Sequence, residues 1–330
     1  MYHTLQKSRQ TPNDECRDSK SRVTIIGSGS LGSVAAKLIA SNALKLPSFH
    51  DEVRIWVFEE VLPNSEKLTD VINKTNENVN YLPGIKLGRN VVADPDLENA
   101  GEVEAISLVK GMEVKKERPC MITSLISKEL GINCCVLMGA NISNEIVVEK
   151  FSEETVGYRE SREIADTWVQ LFSTPYFIVI PVHDIEGVEL CGTLKNVVAI
   201  AAVSLMVWKW AAIMRIGRRE MKALSKLMCS RCSFFESCGV ADVIITCLGG
   251  RYRRVAEAFA QSGGKRSFDE LEAEMLQGQK LQGVSMTREV YEALNHRGWL
   301  EMFPLFSMVH QICIGRLKPD AIVHYRDHKA

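Results

Sequence analysis

Hydrophobic and polar positions follow two different patterns along this chain, and the change falls near residue 184. Short β-branched or apolar runs come first, at residues 22–26, 53–58, 87–93, 105–110 and 135–139. Each predicts a strand. Between them an alanine-rich pattern predicts a helix from Leu31 to about Ala43, and a more polar one predicts a helix over residues 65–76. Strands alternating with helices predict a parallel sheet covered on both faces. Beyond His183 the strand signals fade. Residues 185–229 read almost wholly as helix, as do 253–262, with further helices over 268–276, 287–296 and 301–315. The expected fold class is therefore α/β, a parallel-sheet domain over 21–184 followed by an all-helical domain over 185–330. Residues 1–20 are polar, carry charges of both signs and show no periodicity, which predicts a disordered leader.

Length and composition leave this picture in place. A chain of 330 residues suits two cores. Apolar residues make up 46% and charged residues 25%, with a formal net charge of -1, so no basic surplus points to nucleic acid. The start of the chain has no apolar segment of secretory type, and a cytoplasmic protein with reduced thiols is expected from its ten cysteines. Cys229, Cys232 and Cys238 have a suggestive spacing, but a structural zinc takes four ligands and no fourth follows nearby, so no metal is expected. Residues 197–214 are apolar apart from Ser204 and Lys209. Lys209 and the lack of an aromatic belt favour a buried core helix over a membrane span.

Candidate chemistry begins at Gly27-Ser28-Gly29-Ser30-Leu31-Gly32, a G-x-G-x-x-G between a predicted strand and a predicted helix. Gly27 suits the tight turn, Gly29 lets backbone approach a pyrophosphate, and Gly32 lets helix and strand pack closely. The free N–H groups and positive end of the following helix face such phosphates. The second strand ends at Phe58-Glu59-Glu60. Carboxylates there can bind a ribose 2′-OH and repel a 2′-phosphate, which favours NAD over NADP, although the spacing from Gly29 exceeds the usual fingerprint. Lys195 lies in the apolar run 194–202, where a lone charge is costly without a purpose. Arg251, Arg253 and Arg254 open a predicted helix, where cations oppose the dipole unless an anion is present.

Ten segments occur in family order from residue 23 to near the C-terminus and together resemble eukaryotic NAD-dependent glycerol-3-phosphate dehydrogenase. They include Val23 to Gly32, Trp56-Val57-Phe58-Glu59-Glu60, Asn76-Glu77-Asn78-Val79-Asn80-Tyr81-Leu82-Pro83-Gly84 and Ile106-Ser107-Leu108-Val109-Lys110-Gly111. The series continues through Val136-Leu137-Met138-Gly139-Ala140-Asn141-Ile142, Leu194-Lys195-Asn196-Val197-Val198-Ala199, Glu236-Ser237-Cys238-Gly239-Val240-Ala241-Asp242 and Gly249-Gly250-Arg251. Val255-Ala256-Glu257-Ala258-Phe259 and Gly278-Gln279-Lys280-Leu281-Gln282-Gly283 complete it. The resemblance implies a Rossmann-type domain, a homodimer, and reversible oxidation of sn-glycerol 3-phosphate to dihydroxyacetone phosphate. It implies Lys195 as proton acceptor, Lys110 as a substrate-binding lysine, and Asn196 and Asp242 as their polar neighbours. Arg251, with Tyr252 beside it, is implied at the substrate phosphate and the cofactor. Gly27 to Gly32, Phe58, Ser143, Lys280 and Gln282 are implied as cofactor contacts.

Two departures from the family pattern stand out. The family carries a further strand and helix between Asp94-Pro95-Asp96 and Ala105-Ile106-Ser107, where this chain has only residues 97–104. One βα unit is thus expected to be missing from the sheet, and its neighbours must close up or leave backbone groups unpaired. The family also interrupts the helix after Lys195 with a glycine-rich turn, whereas residues 199–214 here contain no glycine. Besides an active dehydrogenase, the sequence leaves open an impaired relative that retains NAD binding, a dimeric interaction protein, and a membrane-associated protein.

Overall fold

The computed structural model describes residues 20–96, 104–115, 118–203, 210–229, 233–276 and 281–325. Its first sheet is parallel, with β2 (Phe49–Trp56) between β1 (Ser21–Ile26) and β3 (Val91–Asp94). Helix α1 (Ser30–Ala43) and helix α2 (Leu68–Thr75) supply the crossovers. Val23, Val53 and Ile55 of the sheet pack with Val34, Leu38 and Ile39 of α1 and with Leu68 and Ile72 of α2. Helix α2 starts three residues later than the polarity pattern predicts, at Leu68.

A second sheet has the order β4 (Ala105–Ser107), β7 (Cys134–Ala140), β8 (Ser152–Gly157) and β9 (Phe177–Val182). Between β4 and β7 come the hairpin β5 (Met112–Lys115) and β6 (Arg118–Met121), then helix α3 (Ile122–Leu130). The sheet is not wholly parallel, because β8 runs antiparallel to β7. Residues 141–151 separate those strands and hold only the one-turn helix α4 (Ser143–Ile146), which is too short for a parallel crossover. Helix α5 (Arg162–Phe172) then makes the parallel connection to β9. Pro181 is tolerated in β9 because that strand lies at the sheet edge.

The helical part is built around α6 (Ile185–Val203). Asp184 caps it, accepting from the N–H of Gly187 at 2.9 Å, and its other oxygen accepts from the N–H and hydroxyl of Ser233, each at 2.9 Å. Helix α6 is buried on every side, as expected of a helix apolar all round. It packs against α7 (Trp210–Met228), α8 (Asp242–Leu248), α9 (Gly250–Gln261), α11 (Gln282–His296) and β7. Helices α10 (Phe268–Met275) and α12 (Pro304–Cys313) complete the bundle. Strand β7 joins the two cores by simple alternation. Cys135 and Leu137 face the first sheet's cluster, whereas Val136 and Met138 face the cluster around α6. No helix among the described residues is long and apolar enough to cross a membrane.

The missing βα unit leaves a visible mark. Among the described residues β1 pairs only with β2 and β4 only with β7, so the two sheets are not hydrogen-bonded to each other. The neighbours have not closed up. A cleft of about 3000 Å³ lies between them, lined by residues 20–27 of β1 and its flanks, residues 104–110, and Ile126, Leu130, Trp168 and Leu171. Strand β1, which would be interior in an unbroken sheet, leaves Ile26 64% exposed.

This split has a measurable consequence. In hydrogen-exchange mass spectrometry, peptides from β1 should exchange faster than those from β2, which is paired on both sides. Equal protection of the two strands would mean that the gap is closed in solution.

Candidate functional site

The glycine loop leaves β1 and enters α1 with the geometry that its spacing requires. Gly27 has φ +109°, a conformation that side chains disfavour. A Cβ on Gly32 would lie 2.0 Å from the carbonyl oxygen of Gly27, so helix and turn meet there with no room to spare. Gly29 is the opposite case. A Cβ there would meet nothing within 4 Å, because its outer face opens into the cleft. Helix α1 has no side-chain cap and no acidic residue in its first turn. Its first N–H groups are thereby left to an external anion. The loop is braced from behind by buried Asn78, which donates to the carbonyl of Ser28 at 2.7 Å and to the hydroxyl of Ser33 at 3.0 Å. Ser30 donates to the carbonyl of Tyr81 at 3.0 Å. These residues fit a dinucleotide pyrophosphate: Gly29 offers close approach, and the turn around it is rigid.

Across the same cleft lies a buried cluster of charges. Lys195, on α6, is 3% exposed and donates to Oδ1 of Asp242, which is fully buried. A π-helical turn, Ser237–Ala241, delivers Asp242 as the first residue of α8. Thr246, one turn on, donates to the same Asp242 oxygen at 3.4 Å. Lys110, just beyond β4, places its Nζ 3.7 Å from Asp242 Oδ2. Burial pushes the Lys195 ammonium down to about 7; Asp242 resists that fall and Lys110 adds to it. An amine so placed titrates near physiological pH, so its neutral form is available to accept a proton. Asn196 is buried beside Lys195, its amide 3.3 Å from the sulfur of Met286.

The expected residues divide clearly. Gly27, Gly29, Ser30, Leu31, Gly32, Lys110, Ser143, Lys195, Asn196 and Gln282 all line one cleft. Ser143 does so from the start of α4 and Gln282 from the start of α11. Ser28 is buried behind the loop. Phe58 is 70% exposed and is not part of the cleft wall. Arg251 and Tyr252 fall in the first turn of α9, and their side chains lie outside what is described, as does all of Lys280. Glu59 and Glu60, read above as ribose ligands, are engaged within the protein. Glu59 binds the hydroxyl of Thr69 at 2.6 Å and its N–H at 3.3 Å, while Glu60 accepts from Tyr81 at 2.6 Å and Asn80 at 2.7 Å.

Four residues escaped the sequence reading as functional candidates: Asn78, Asn141, Glu154 and Thr246. Glu154, on β8, is 2% exposed, accepts from the Asn141 amide, and is pushed up to about 8 by burial. Its only sequence signal is two adjacent glutamates inside a strand, where one of them must face a buried side. Asn78 and Asn141 lie within segments that carry the resemblance and Thr246 lies near two of them, but nothing in their spacing marks a role.

The geometry can be set beside known proteins. A family model described as NAD-dependent glycerol-3-phosphate dehydrogenase C-terminus matches residues 184–324. The corresponding N-terminus model matches residues 22–104 and 99–164. The chain belongs to the NAD-dependent glycerol-3-phosphate dehydrogenase family. The N-terminal match breaks where the βα unit is missing. A relative from Arabidopsis thaliana, named glycerol-3-phosphate dehydrogenase [NAD(+)] 1, chloroplastic, is 74% identical, covering 100% of this chain and 91% of its own length. That match runs over 366 aligned positions against 330 residues here, so the relative carries additional residues within the matched span. Among solved structures, the dehydrogenase of Dunaliella salina superposes with a TM-score of 0.86 at 41% identity, covering 93% of this chain and 60% of that one. The enzyme of Saccharomyces cerevisiae gives 0.82 at 36% identity, covering 92% and 99%. The family's cofactor is NAD, and the loop around Gly29 suits it.

Gly29→Val should abolish NADH binding while leaving the fold intact, since the new side chain enters open space that a pyrophosphate needs. Fluorescence titration with NADH checks this; unchanged affinity would remove the loop from the site.

Proposed function

We propose that this protein oxidises sn-glycerol 3-phosphate to dihydroxyacetone phosphate, and runs the reverse, with Lys195 as the proton acceptor. The observation that carries this reading is the buried Lys195–Asp242–Lys110 cluster facing the same cleft as the glycine loop. Bound NAD would supply the hydride acceptor. Lys195 takes the proton of the C2 hydroxyl, because burial lowers its proton affinity enough for a neutral amine to be present. Asp242 holds that amine in one place, and its charge favours the ammonium formed when the proton arrives. In the reducing direction the ammonium donates to the developing alkoxide. Lys110 binds substrate and lowers the proton affinity of Lys195, and Asn196 offers an amide beside the reacting carbon. Arg251, with Tyr252 next to it, meets the substrate phosphate, which a guanidinium fork matches in two hydrogen bonds.

In this reading residues 21–184 form the cofactor-binding domain and 185–330 the helical domain for substrate and dimerisation. A small phosphorylated triose is the partner, and neither nucleic acid nor membrane is required. Cytoplasmic residence and a homodimer belong to the proposal. The Arabidopsis relative is named chloroplastic, so microscopy of a fluorescent fusion separates the two compartments, and sedimentation reads the assembly. A second reading has one observation in its favour. The edges of β1 and β4, which have no partner strand among the described residues, flank the cofactor cleft, which suits a relative that binds NAD but turns over slowly or not at all.

NADH oxidation with dihydroxyacetone phosphate decides between them. Wild type should be active and Lys195→Ala slower by about 10²–10⁴-fold, the contribution of a positioned general acid–base group. Wild type and variant equally silent, with NADH still bound, would favour the second reading. Arg251→Ala should weaken the triose phosphate about ten- to hundredfold, the loss of a charge-assisted pair of about 1.5–3 kcal/mol, and should weaken NADH less. Equal loss for both ligands would count against that role.

A further inference from the structure

The mechanism above leaves one buried titratable group without a task. Glu154 lies on β8 directly opposite Gly139 of β7. A Cβ at Gly139 would meet the Glu153 carbonyl oxygen at 2.5 Å, Glu154 Cα at 2.7 Å and Glu154 Oε2 at 3.1 Å, so glycine lets the β8 backbone come close here, with the carboxyl packed beside it. Asn141 donates to Glu154 Oε1 and lines the cleft, whereas Glu154 itself does not. The carboxyl therefore stands behind the wall of the site, out of contact with any occupant. The charges that act on it are Lys110, Lys195 and Asp242, from the end of β4, from α6 and from α8. Strands β7 and β9 present no charged residue. Glu153 projects from the opposite face of β8. Glu189, the buried carboxyl of α6, is engaged by Thr123 and is itself pushed up to about 7 by burial, and the Cys247 thiol, pushed up to about 12 by burial, stays neutral.

We propose that Glu154 is a positioning residue of the lysine cluster: held by Asn141, its carboxyl exchanges one proton in step with Lys195 and so sets when Lys195 is free to act as a base. The argument is one of charge balance. With all four groups ionised, two ammoniums face two carboxylates. Moving one proton from Lys195 to Glu154 leaves Lys110 facing Asp242. Both states carry zero net charge, so neither buries an uncompensated ion. The first state holds Lys195 as an acid, which suits reduction of a ketone. The second holds it as a neutral base, which suits oxidation of an alcohol. Glu154 and Lys195 are both buried, on β8 and α6, which pack directly against each other, and burial moves their proton affinities toward each other, up for the carboxyl and down for the amine.

The inference rests on the dehydrogenase reading for its kinetic consequence, but not for its ionisation. Glu154→Gln keeps the size and an acceptor for Asn141 and removes the charge. An anion nearby raises a lysine's proton affinity, so its removal should lower the midpoint of the Lys195 titration by about one unit. In kcat/KM against pH, glycerol 3-phosphate oxidation should then rise, and dihydroxyacetone phosphate reduction fall, at lower pH than in wild type. A residue that only supported Asn141 would leave both midpoints in place; superimposed profiles in an active pair would overturn the inference while the dehydrogenase reading stood. Infrared spectroscopy of full-length protein with ¹³C-carboxyl glutamate needs no turnover. The wild-type minus Glu154→Gln difference should hold a protonated-carboxyl band at pH 7, and that band should be lost at higher pH in Lys195→Met than in wild type, because the cation that favours ionisation is gone. A wild type silent at every pH with this band behaviour intact would sink the dehydrogenase reading alone. No such band at pH 7, or a band indifferent to Lys195→Met, would overturn the inference whatever the activity.

Discussion

An ammonium held out of water in the middle of a helix is the constraint on which this structure turns. Helix α6 is buried on all sides, and Lys195 sits within it at 3% exposure. Charged lysine in such a place is expensive, so the group must lose its proton or find a counter-charge. Here the protein arranges for both. Asp242 comes to Lys195 at the head of α8, after a π-helical turn, and burial lowers the amine's proton affinity into the physiological range. Removing the burial would give back an ordinary lysine, protonated and useless as a base. The bundle around α6 is therefore part of the chemistry as well as its support.

The break in the sheet reads differently against that constraint. One core runs behind the break, from β1, β2, α1 and α2 to α5, β8 and β9; the other surrounds α6, and β7 is turned toward both. Loss of the strand between β1 and β4 exposes apolar surface such as Ile26 and leaves two strand edges without a partner strand among the described residues. It does not enter the packing around Lys195. The two departures from the family pattern also differ in kind. One removes a wall of the cleft. The other replaces a glycine-rich turn, and its central residues, 204–209, lie outside the described residues.

The legible and illegible parts of the sequence have physical reasons. The glycine loop was legible because each glycine answers a steric demand: positive φ at Gly27, contact with a carbonyl at Gly32, open space at Gly29. Lys195 stood out because its apolar neighbours made a lone charge conspicuous. Most helices were legible from their periodicity, with boundaries moved by a few residues. Strand β8 was not, because Ser152, Glu153, Glu154 and Thr155 give no apolar alternation; it is held by pairing with β7 on one side and β9 on the other, and Asn141 satisfies the buried glutamate. The ribose role read into Glu59 and Glu60 failed for a similar reason. Both carboxylates face hydrogen-bond donors that lie about 10 and 20 residues away in the chain, Thr69 and Tyr81, and no local pattern discloses such partners.

The site outlasts the loss of a strand because of where its parts are anchored. In an open α/β sheet, ligands meet the loops at the carboxyl ends of strands. The glycine loop hangs from β1, which is tied to β2; Lys110 hangs from β4, which is tied to β7. Lys195 and Asp242 belong to the helical bundle and lean on neither edge of the gap. What the absent unit withdraws is enclosure, and enclosure acts on the energetics in one place only. A wider cleft lets water reach a bound dinucleotide and weakens the contacts that hold it. The proton affinity of Lys195 is set by protein packed directly around it, so the same water barely touches it. Damage from the missing strand should accordingly enter through binding first and through proton transfer last, the reverse of the order expected had the family pattern been broken at α6.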